Sequence, residues 1–255
     1  MKIKILGCGP SGGIPSLAYG FGKVNPNNPK NHRLRTSALI CTDDKKNILI
    51  DTGPDIRIQL LNIGTPHIDA VLYTHDHYDH MGGANELVLL SKKQGGHLPI
   101  YVSEYDLIEF KRLLYYLFET DINTNLFDIH IIKPYQSFNI GKNIITPLKQ
   151  HHGLNGMSYG YKINNMAYTT DWTALDEKAF PYLNHLSLWI LGVVSRIECR
   201  THIHLDIALD WIKHIQAEKT YLTHMGNLLD YDDLCQELPD NVFPCYDGLE
   251  ITVRE

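Results

Sequence analysis

Short apolar runs separated by polar turns dominate the chain, and their pattern predicts a protein rich in strands. Alternating or continuous apolar positions predict strands at KIKIL, TSALICT, KNILIDTG, IDAVLYT, PIYVS, LSLWILGVV and KTYLTH, and in the tail VFPCYDGLEITVRE. Helices are predicted between them at PDIRIQLLNIG, GANELVLLSKK and SEYDLIEFKRLLYYLF, near residues 173–184, and over residues 204–218. The strands fall into two batches, each mixed with helices, which favours sheets covered by helices on their outer faces.

The spacing of apolar residues in the 204–218 segment supports this assignment. Leu205, Ala208, Leu209, Ile212 and Ile215 recur at helical spacing and give one apolar face. No linker or internal repeat interrupts the chain, so we expect one domain over residues 1–255. Residues 7–35 form a long loop rich in Gly and Pro, and loops of this length inside a domain are often functional.

Composition excludes several classes of protein. The chain has 255 residues and a formal net charge of −6, without the basic stripe of proteins that bind long nucleic acids. No apolar run reaches about 18 residues, so we expect neither a transmembrane helix nor a signal peptide. The five cysteines are scattered and form no C-x-x-C pair, which favours reduced thiols and a cytoplasmic protein.

The segment VLYTHDHYDHMGG, residues 71–83, contains the strongest chemical signal. Its H-x-H-x-D-H pattern lies where a strand ends and a helix begins. Residues two apart on an extended chain point to the same side, so His75 and His77 can bind one metal ion. Asp79 and His80, around the turn, can bind a second. Imidazole and carboxylate ligands together suit Zn²⁺, Mn²⁺ or Fe²⁺.

Three further candidate ligands occur at strand ends. His152 has His151 beside it as an alternative, Asp171 ends MAYTTD, and His224 ends KTYLTH. Each of them alone has an ordinary explanation, such as a helix N-cap for Asp171. Their recurrence at the exits of strands favours a shared metal site.

These motifs resemble those of metallo-β-lactamase-fold hydrolases, in particular the branch with the phosphoribosyl cyclic phosphodiesterase of phosphonate degradation. The similarity covers ILGCGPSGGIP, RTSALI, ILIDTGPDIRIQLL, the histidine segment, HHG, YTTD, THIHLDIAL, LTHM and YDGLEI, and thus runs nearly end to end. The resemblance implies an α/β (α+β) fold of four αββα layers, with two mixed sheets flanked by helices. It also implies a site for two divalent metal ions, Zn or Mn with Fe as an alternative, between the sheets.

The resemblance further implies roles for individual residues. One metal ion would be bound by His75, His77 and His152, the other by Asp79, His80 and His224, with Asp171 bridging both. A histidine close to the leaving group corresponds to His202, with His204 as the competing candidate. Asp79, His202 and His204 are therefore the candidate catalytic residues.

The expected activity is metal-dependent hydrolysis of a small or cyclic phosphodiester, by a hydroxide held between two metal ions. Alternatives are a thioesterase similar to glyoxalase II, a nuclease similar to the one that processes tRNA 3′ ends, and a metal-binding scaffold without turnover. The expected partner is a small phosphoester rather than long nucleic acid or a membrane, and a homodimer is compatible with the sequence.

Two features depart from the family pattern, and one loop invites a hypothesis. The loop 7–35 lacks the cysteine-rich zinc site of the phosphonate-pathway enzyme, and Gly192 stands where relatives often have aspartate. Lys30, Arg33 and Arg35 in that loop could contact anionic groups of a substrate, or could simply be solvated.

Overall fold

Two mixed β-sheets form the centre of the protein in the computed structural model, which describes residues 1–118 and 125–253. The first sheet has the strand order β15-β1-β2-β3-β4-β5-β6. Its strands are β1 (Lys2–Gly7), β2 (Ser37–Cys41), β3 (Asn47–Ile50), β4 (Ala70–Leu72), β5 (Leu98–Val102), β6 (Phe127–Ile131) and β15 (Glu250–Thr252).

The second sheet has the order β11-β8-β9-β10-β12-β13-β14, with β7 paired to β8. Its strands are β7 (Phe138–Ile140), β8 (Asn143–His152), β9 (Gly156–Ile163), β10 (Met166–Thr169), β11 (Ala174–Leu175), β12 (Leu188–Gly192), β13 (Lys219–Thr223) and β14 (Val242–Pro244). Along this path each sheet has three antiparallel pairings followed by three parallel ones. The two sheets thus share one plan, although no internal repeat is visible in the sequence.

Helices cover the outer faces of both sheets. The helices of the described residues are α1 (Ile56–Asn62), α2 (Tyr78–Met81), α3 (Glu86–Lys93), α4 (Asp106–Leu113), α5 (Tyr115–Phe118), α6 (Phe180–Leu183), α7 (Leu205–Ile215) and α8 (Tyr231–Glu237), with 3-10 turns at Pro29–Asn31 and Glu177–Ala179. The short helix α2 belongs to the histidine segment rather than to an outer layer. This arrangement confirms the expected two-sheet sandwich with helices outside. No helix in the described part of the chain is long and apolar enough to cross a membrane.

Neighbouring residues of the strands enter different apolar layers. Ile40 and Ile48 belong to the core cluster that includes both sheets, whereas Leu39 and Leu49 pack with α1, α3 and α4. Successive side chains on a strand point to opposite faces, so a strand buried on both faces reads as a continuous apolar run. Burying such side chains contributes about 25 cal/mol for each Å² of apolar surface.

Several predicted helices correspond closely to observed ones, and one does not. Residues 204–218 contain α7, with Leu205, Ala208, Ile212 and Ile215 buried. The helix predicted near 173–184 is wrong over its first half. There the chain forms β11, whose pairing with β8 sets Ala174 opposite His151 and overrides local helix propensity.

Candidate metal centre

The histidine segment leaves β4 and turns into the short helix α2. His77 is the N-cap of that helix, with extended backbone angles (φ −61°, ψ 147°), and Asp79 and His80 lie in its single turn. Beyond this turn Asp79 and His80 come near His224, whereas His75 and His77 come near His152. The local chain therefore presents two separate groups of donor atoms, as the spacing predicts.

The first group consists of His75, His77 and His152, whose nearest ligand atoms all lie within 4.8 Å of one another. The Nε2 atom of His152 lies 3.3 Å from Nδ1 of His77. The Nε2 atom of His75 is buried and has no hydrogen-bond partner. A buried polar atom without a partner is costly, and a metal ion between these three rings would remove that cost.

The second group consists of Asp79, His80 and His224. Oδ2 of Asp79 lies 3.2 Å from Nε2 of His80 and 3.4 Å from Nε2 of His224. Both ring atoms are buried and lack hydrogen-bond partners. Ligands about 2.1 Å from one ion lie roughly 3.0–3.4 Å from one another, so these separations fit a shared ion.

Asp171 lies between the two groups. Its Oδ2 atom is 3.0 Å from Nε2 of His80 and 3.3 Å from Nε2 of His224, and it also forms a compact group with His75 and His80. Donor atoms from distant strands and from the histidine segment thus surround one carboxylate, that of Asp171. The chemistry and spacing of this set fit two divalent ions that share Asp171.

Left-handed backbone conformations help to aim three of these side chains. Asp51 and His224 directly follow the last residue of a strand, and Asp171 lies two residues beyond one; their φ values are 60°, 57° and 53°. Such angles are uncommon outside glycine, and in native proteins they concentrate at functional sites. The sharp turn ends each strand and directs the side chain towards the gap between the sheets.

Asp51 fixes the orientation of the candidate ligand His80 through the ring nitrogen Nδ1. The carboxylate is fully buried and accepts hydrogen bonds from the backbone N–H and the hydroxyl of Thr74, both at 2.8 Å. Its Oδ2 also lies 2.7 Å from Nδ1 of His80. A proton held on Nδ1 leaves Nε2 of His80 free as a metal ligand. Sequence reasoning did not single out Asp51, although it directly follows the buried strand β3.

Burial and neighbouring charges set the ionisation of the site. Burial alone would lower the pKa of His80, but Asp171, Asp79 and Asp51 raise it well above its ordinary value, so a metal ion would have to displace a proton from this ring. Burial lowers the pKa of His152 to about 4 and that of His75 well below its ordinary value, so both rings are neutral near pH 7. Burial alone would raise the pKa of Asp171, but His224 and His80 hold it well below its usual range. Neutral imidazole and ionised carboxylate are the forms that bind metal ions.

The alternatives left open by the sequence occupy different places. His152 is buried in the donor cluster, whereas the His151 side chain is exposed and its carbonyl oxygen accepts from Thr173. His202 places Nε2 2.7 Å from Oδ1 of Asp171, and its Nδ1 lies 2.8 Å from the Thr201 hydroxyl. His204 is the N-cap of α7 and does not line the cavity at this site.

A cavity of about 680 Å³ opens over the donor cluster. Its lining includes metal-ligand candidates, His202 and a wall of residues that the sequence did not identify. That wall comes from the segment before and at the start of α4 and from the β8–β9 turn: Ser103, Tyr105, Asp106, Leu154, Asn155 and Met157. The cavity is large enough for a small organic substrate.

The basic residues of the N-terminal loop have structural partners. Arg33 is 1% exposed and donates to the carbonyl oxygens of Met225, Gly226 and Leu229, so the hypothesis that it contacts substrate is wrong. These bonds hold the segment that follows His224. Arg35 is ion-paired with Asp55, and Lys30 donates to the hydroxyl of Tyr231.

Comparisons with known proteins agree with this fold. The β-lactamase superfamily domain matches residues 46–225. A crystal structure described as a new diphosphatase from the PhnP family superposes with a TM-score of 0.91 and 28% identity, covering 99% of this chain and 98% of that one.

Two curated proteins are also similar. An octanoyltransferase of Porphyromonas gingivalis is 32% identical over 259 residues, covering 100% of this chain; the chain spans only 52% of that protein's length. The anti-Pycsar protein Apyc1 of Bacillus phage BSP38 is 26% identical over 220 residues, covering 76% of this chain and 83% of its own.

Fold and site together define a metallo-β-lactamase-fold protein whose clustered histidine and aspartate side chains could hold metal ions. The chain belongs to the β-lactamase superfamily, and its resemblance to the PhnP-like branch is confirmed.

Proposed function

We propose that this protein hydrolyses a small or cyclic phosphodiester. The observation that carries the proposal is the position of Asp171, which faces His80 and His224 with one oxygen and His202 with the other. One carboxylate thereby connects the metal-ligand candidates to a histidine on the wall of the cavity. The similarity to a diphosphatase of the PhnP family supports a phosphoester over other esters.

In this proposal each residue has a defined task. His75, His77 and His152 would hold one divalent ion and Asp79, His80 and His224 the other, with Asp171 shared. Bound divalent ions of this kind neutralise the charge on a phosphodiester and lower the pKa of water. The protein fixes the ligand positions through buried contacts such as the one between Asp51 and His80.

His202 is the proposed general acid. Burial lowers its pKa, but the contacts with Asp171 more than offset that effect and leave the pKa above its ordinary value. Part of the ring population therefore carries a proton near neutral pH, and the side chain is one-fifth exposed to the cavity. Such a group can donate a proton to the oxygen that leaves the phosphorus.

The test compares esters with the same protein loaded with Zn²⁺ or Mn²⁺. The proposal predicts hydrolysis of bis-p-nitrophenyl phosphate and of ribose 1,2-cyclic phosphate, and loss of both activities after chelation. Turnover of a thioester without turnover of either phosphodiester would refute it.

A second candidate, hydrolysis of an acyl thioester, is favoured by one specific observation. The relative that matches this chain from end to end is named an octanoyltransferase, and the cavity mouth carries the exposed apolar side chains of Leu154 and Met157. An octanoyl thioester in the same substrate panel distinguishes this function from the first.

A further inference from the structure

Two carboxylates line the cavity without belonging to the metal-ligand set. Asp76 lies between His75 and His77 in sequence, and it is half-buried on the cavity wall. Asp106, at the start of α4, is 3% exposed and accepts a hydrogen bond from the Ser103 hydroxyl at 2.5 Å.

Asp106 also lies close to Asp76. Burial, together with the neighbouring Asp76 carboxylate, raises the pKa of the Asp106 carboxyl to about 6, although the Ser103 hydroxyl and the backbone N–H of Asp76 counteract that effect. The backbone N–H of Asp106 in turn donates to the Ser103 hydroxyl at 3.1 Å. These contacts hold Asp106 beside the histidine segment, so the two side chains form one acidic wall, which we call the Asp76–Asp106 wall.

The large exposed side chains at the cavity are apolar or aromatic, and the uncharged polar residues Ser11, Asn155 and Thr201 lie beside them. Tyr105, Leu154 and Met157 line the cavity with exposed fractions of 69%, 78% and 49%. Among the described residues, no lysine or arginine lines this cavity. A substrate whose phosphorus lies at the metal centre would therefore place the rest of its body against carboxylates and apolar side chains.

Arg35 lies next to the cavity, but its positive charge does not neutralise the Asp76–Asp106 wall. Arg35 lines a neighbouring cavity of about 500 Å³, and Ser11 lines both cavities. Its Nη1 is 2.9 Å from Asp55, and its Nε donates to the Ser11 carbonyl oxygen. The positive charge of Arg35 is thus paired within the fold.

We propose that the Asp76–Asp106 wall selects substrates by charge: it favours a phosphodiester with an uncharged body over one that carries a second phosphate. The inference rests on the proposed phosphodiesterase function. A second phosphate near the wall would meet like charges in a partly enclosed space, where repulsion is weakly screened. An uncharged body can instead pack on Tyr105, Leu154 and Met157.

The experiment uses a pair of substrates that differ only in the second phosphate. Metal-loaded protein is given ribose 1,2-cyclic phosphate and ribose 1,2-cyclic phosphate 5-phosphate, and kcat/KM is measured for each. Because two like charges repel at close range, we expect the wild type to prefer the first by about tenfold. The ratio of the two values cancels any general loss of activity in a variant.

Substitutions assign the preference to the wall. Asp76→Asn and Asp106→Asn should each lower the ratio about threefold or more, and Asp76→Lys should reverse it. Glu104→Gln is the matched control, because Glu104 is exposed beside Tyr105 and does not line the cavity. Arg200→Gln tests the exposed cation next to Thr201 in the same way. Neither control should change the ratio.

Each result has a definite meaning. A wild-type preference for the doubly phosphorylated sugar, or an unchanged ratio in both Asp76→Asn and Asp106→Asn, would overturn the inference. Asp76→Asn gives an answer even if Asp106→Asn weakens the start of α4 and does not fold. Failure of the wild type to hydrolyse either sugar would overturn the inference, and failure to hydrolyse bis-p-nitrophenyl phosphate as well would refute the proposed function.

Discussion

The buried contact between Asp51 and His80 gives the sharpest prediction about metal binding. Asp51→Asn keeps the shape of the side chain, and asparagine tolerates the left-handed conformation at this position (φ 60°). If the amide oxygen keeps the bond to Thr74 N–H, the amide nitrogen replaces the oxygen that lies 2.7 Å from Nδ1 of His80. Nδ1 must then accept, so the His80 proton moves to Nε2.

That shift of a proton has a direct consequence for the site. Nε2 is the atom that faces Asp79 and Asp171 at 3.2 and 3.0 Å, and a protonated nitrogen cannot bind a metal ion. Loss of a partner of this kind typically weakens metal binding 10- to 100-fold, or about 1.4–2.8 kcal/mol. We expect Asp51→Asn to weaken metal binding by that factor.

The assay is a metal titration against a competing chelator, together with thermal unfolding of the metal-free protein. Asp55→Asn is the control, because Asp55 accepts from Arg35 and, within the part of the chain that the structure describes, forms no hydrogen bond or ion pair with a ligand candidate. Metal affinity in the control should stay at the wild-type value. Wild-type affinity in a folded Asp51→Asn protein would show that Asp51 does not set the His80 tautomer.

Four further predictions concern the same site. Asp171→Ala should reduce both bound metal, measured by elemental analysis, and phosphodiesterase rate; unchanged metal content would exclude a shared ligand. His202→Ala should lower kcat about 10²- to 10⁴-fold while metal content is retained, whereas His204→Ala should leave kcat near the wild-type value. Equal effects of the two substitutions on kcat would reject His202 as the general acid. Gly192→Ala should destabilise the protein by about 1–3 kcal/mol in urea unfolding, because an added Cβ would lie 2.9 Å from Cα of Thr170; wild-type stability would contradict this. Chelation should lower the thermal midpoint and added metal should restore it, since an ion that binds only the folded state stabilises it; an unchanged midpoint would argue against tight binding.

Gly192 is one of the two departures from the family pattern, and the structure gives a steric reason for it. The glycine lets the end of β12 approach Thr170, whose hydroxyl donates to Oδ2 of Asp171 at 2.7 Å. A side chain at position 192 would enter the space that Thr170 occupies. An aspartate at position 192 would therefore not fit here. The Thr170 hydroxyl makes the polar contact with Asp171 instead.

Local sequence determined those parts of the protein that depend on a few neighbouring residues. The H-x-H-x-D-H spacing brings four donors to a strand end and one helical turn, and tertiary contacts are not needed to foresee that. Continuous apolar runs such as Leu188–Gly192 are buried at every position, so the sequence also indicated the central strands. The apolar spacing of α7 was sufficient in the same way.

Tertiary structure decided which distant residues join the site and which do not. His152 comes near His77 because the two sheets pack face to face. His202 comes near Asp171 because the segment before α7 lies beside the residues after β10, where the backbone N–H of Ile203 donates to the carbonyl oxygen of Trp172; sequence spacing contains neither contact. Packing of the N-terminal loop buries Arg33 against carbonyl oxygens, and strand pairing within the second sheet joins β11 to β8 where a helix was predicted. Long-range packing and pairing outweigh local propensity because they bury more surface and satisfy more backbone hydrogen bonds than a short helix can.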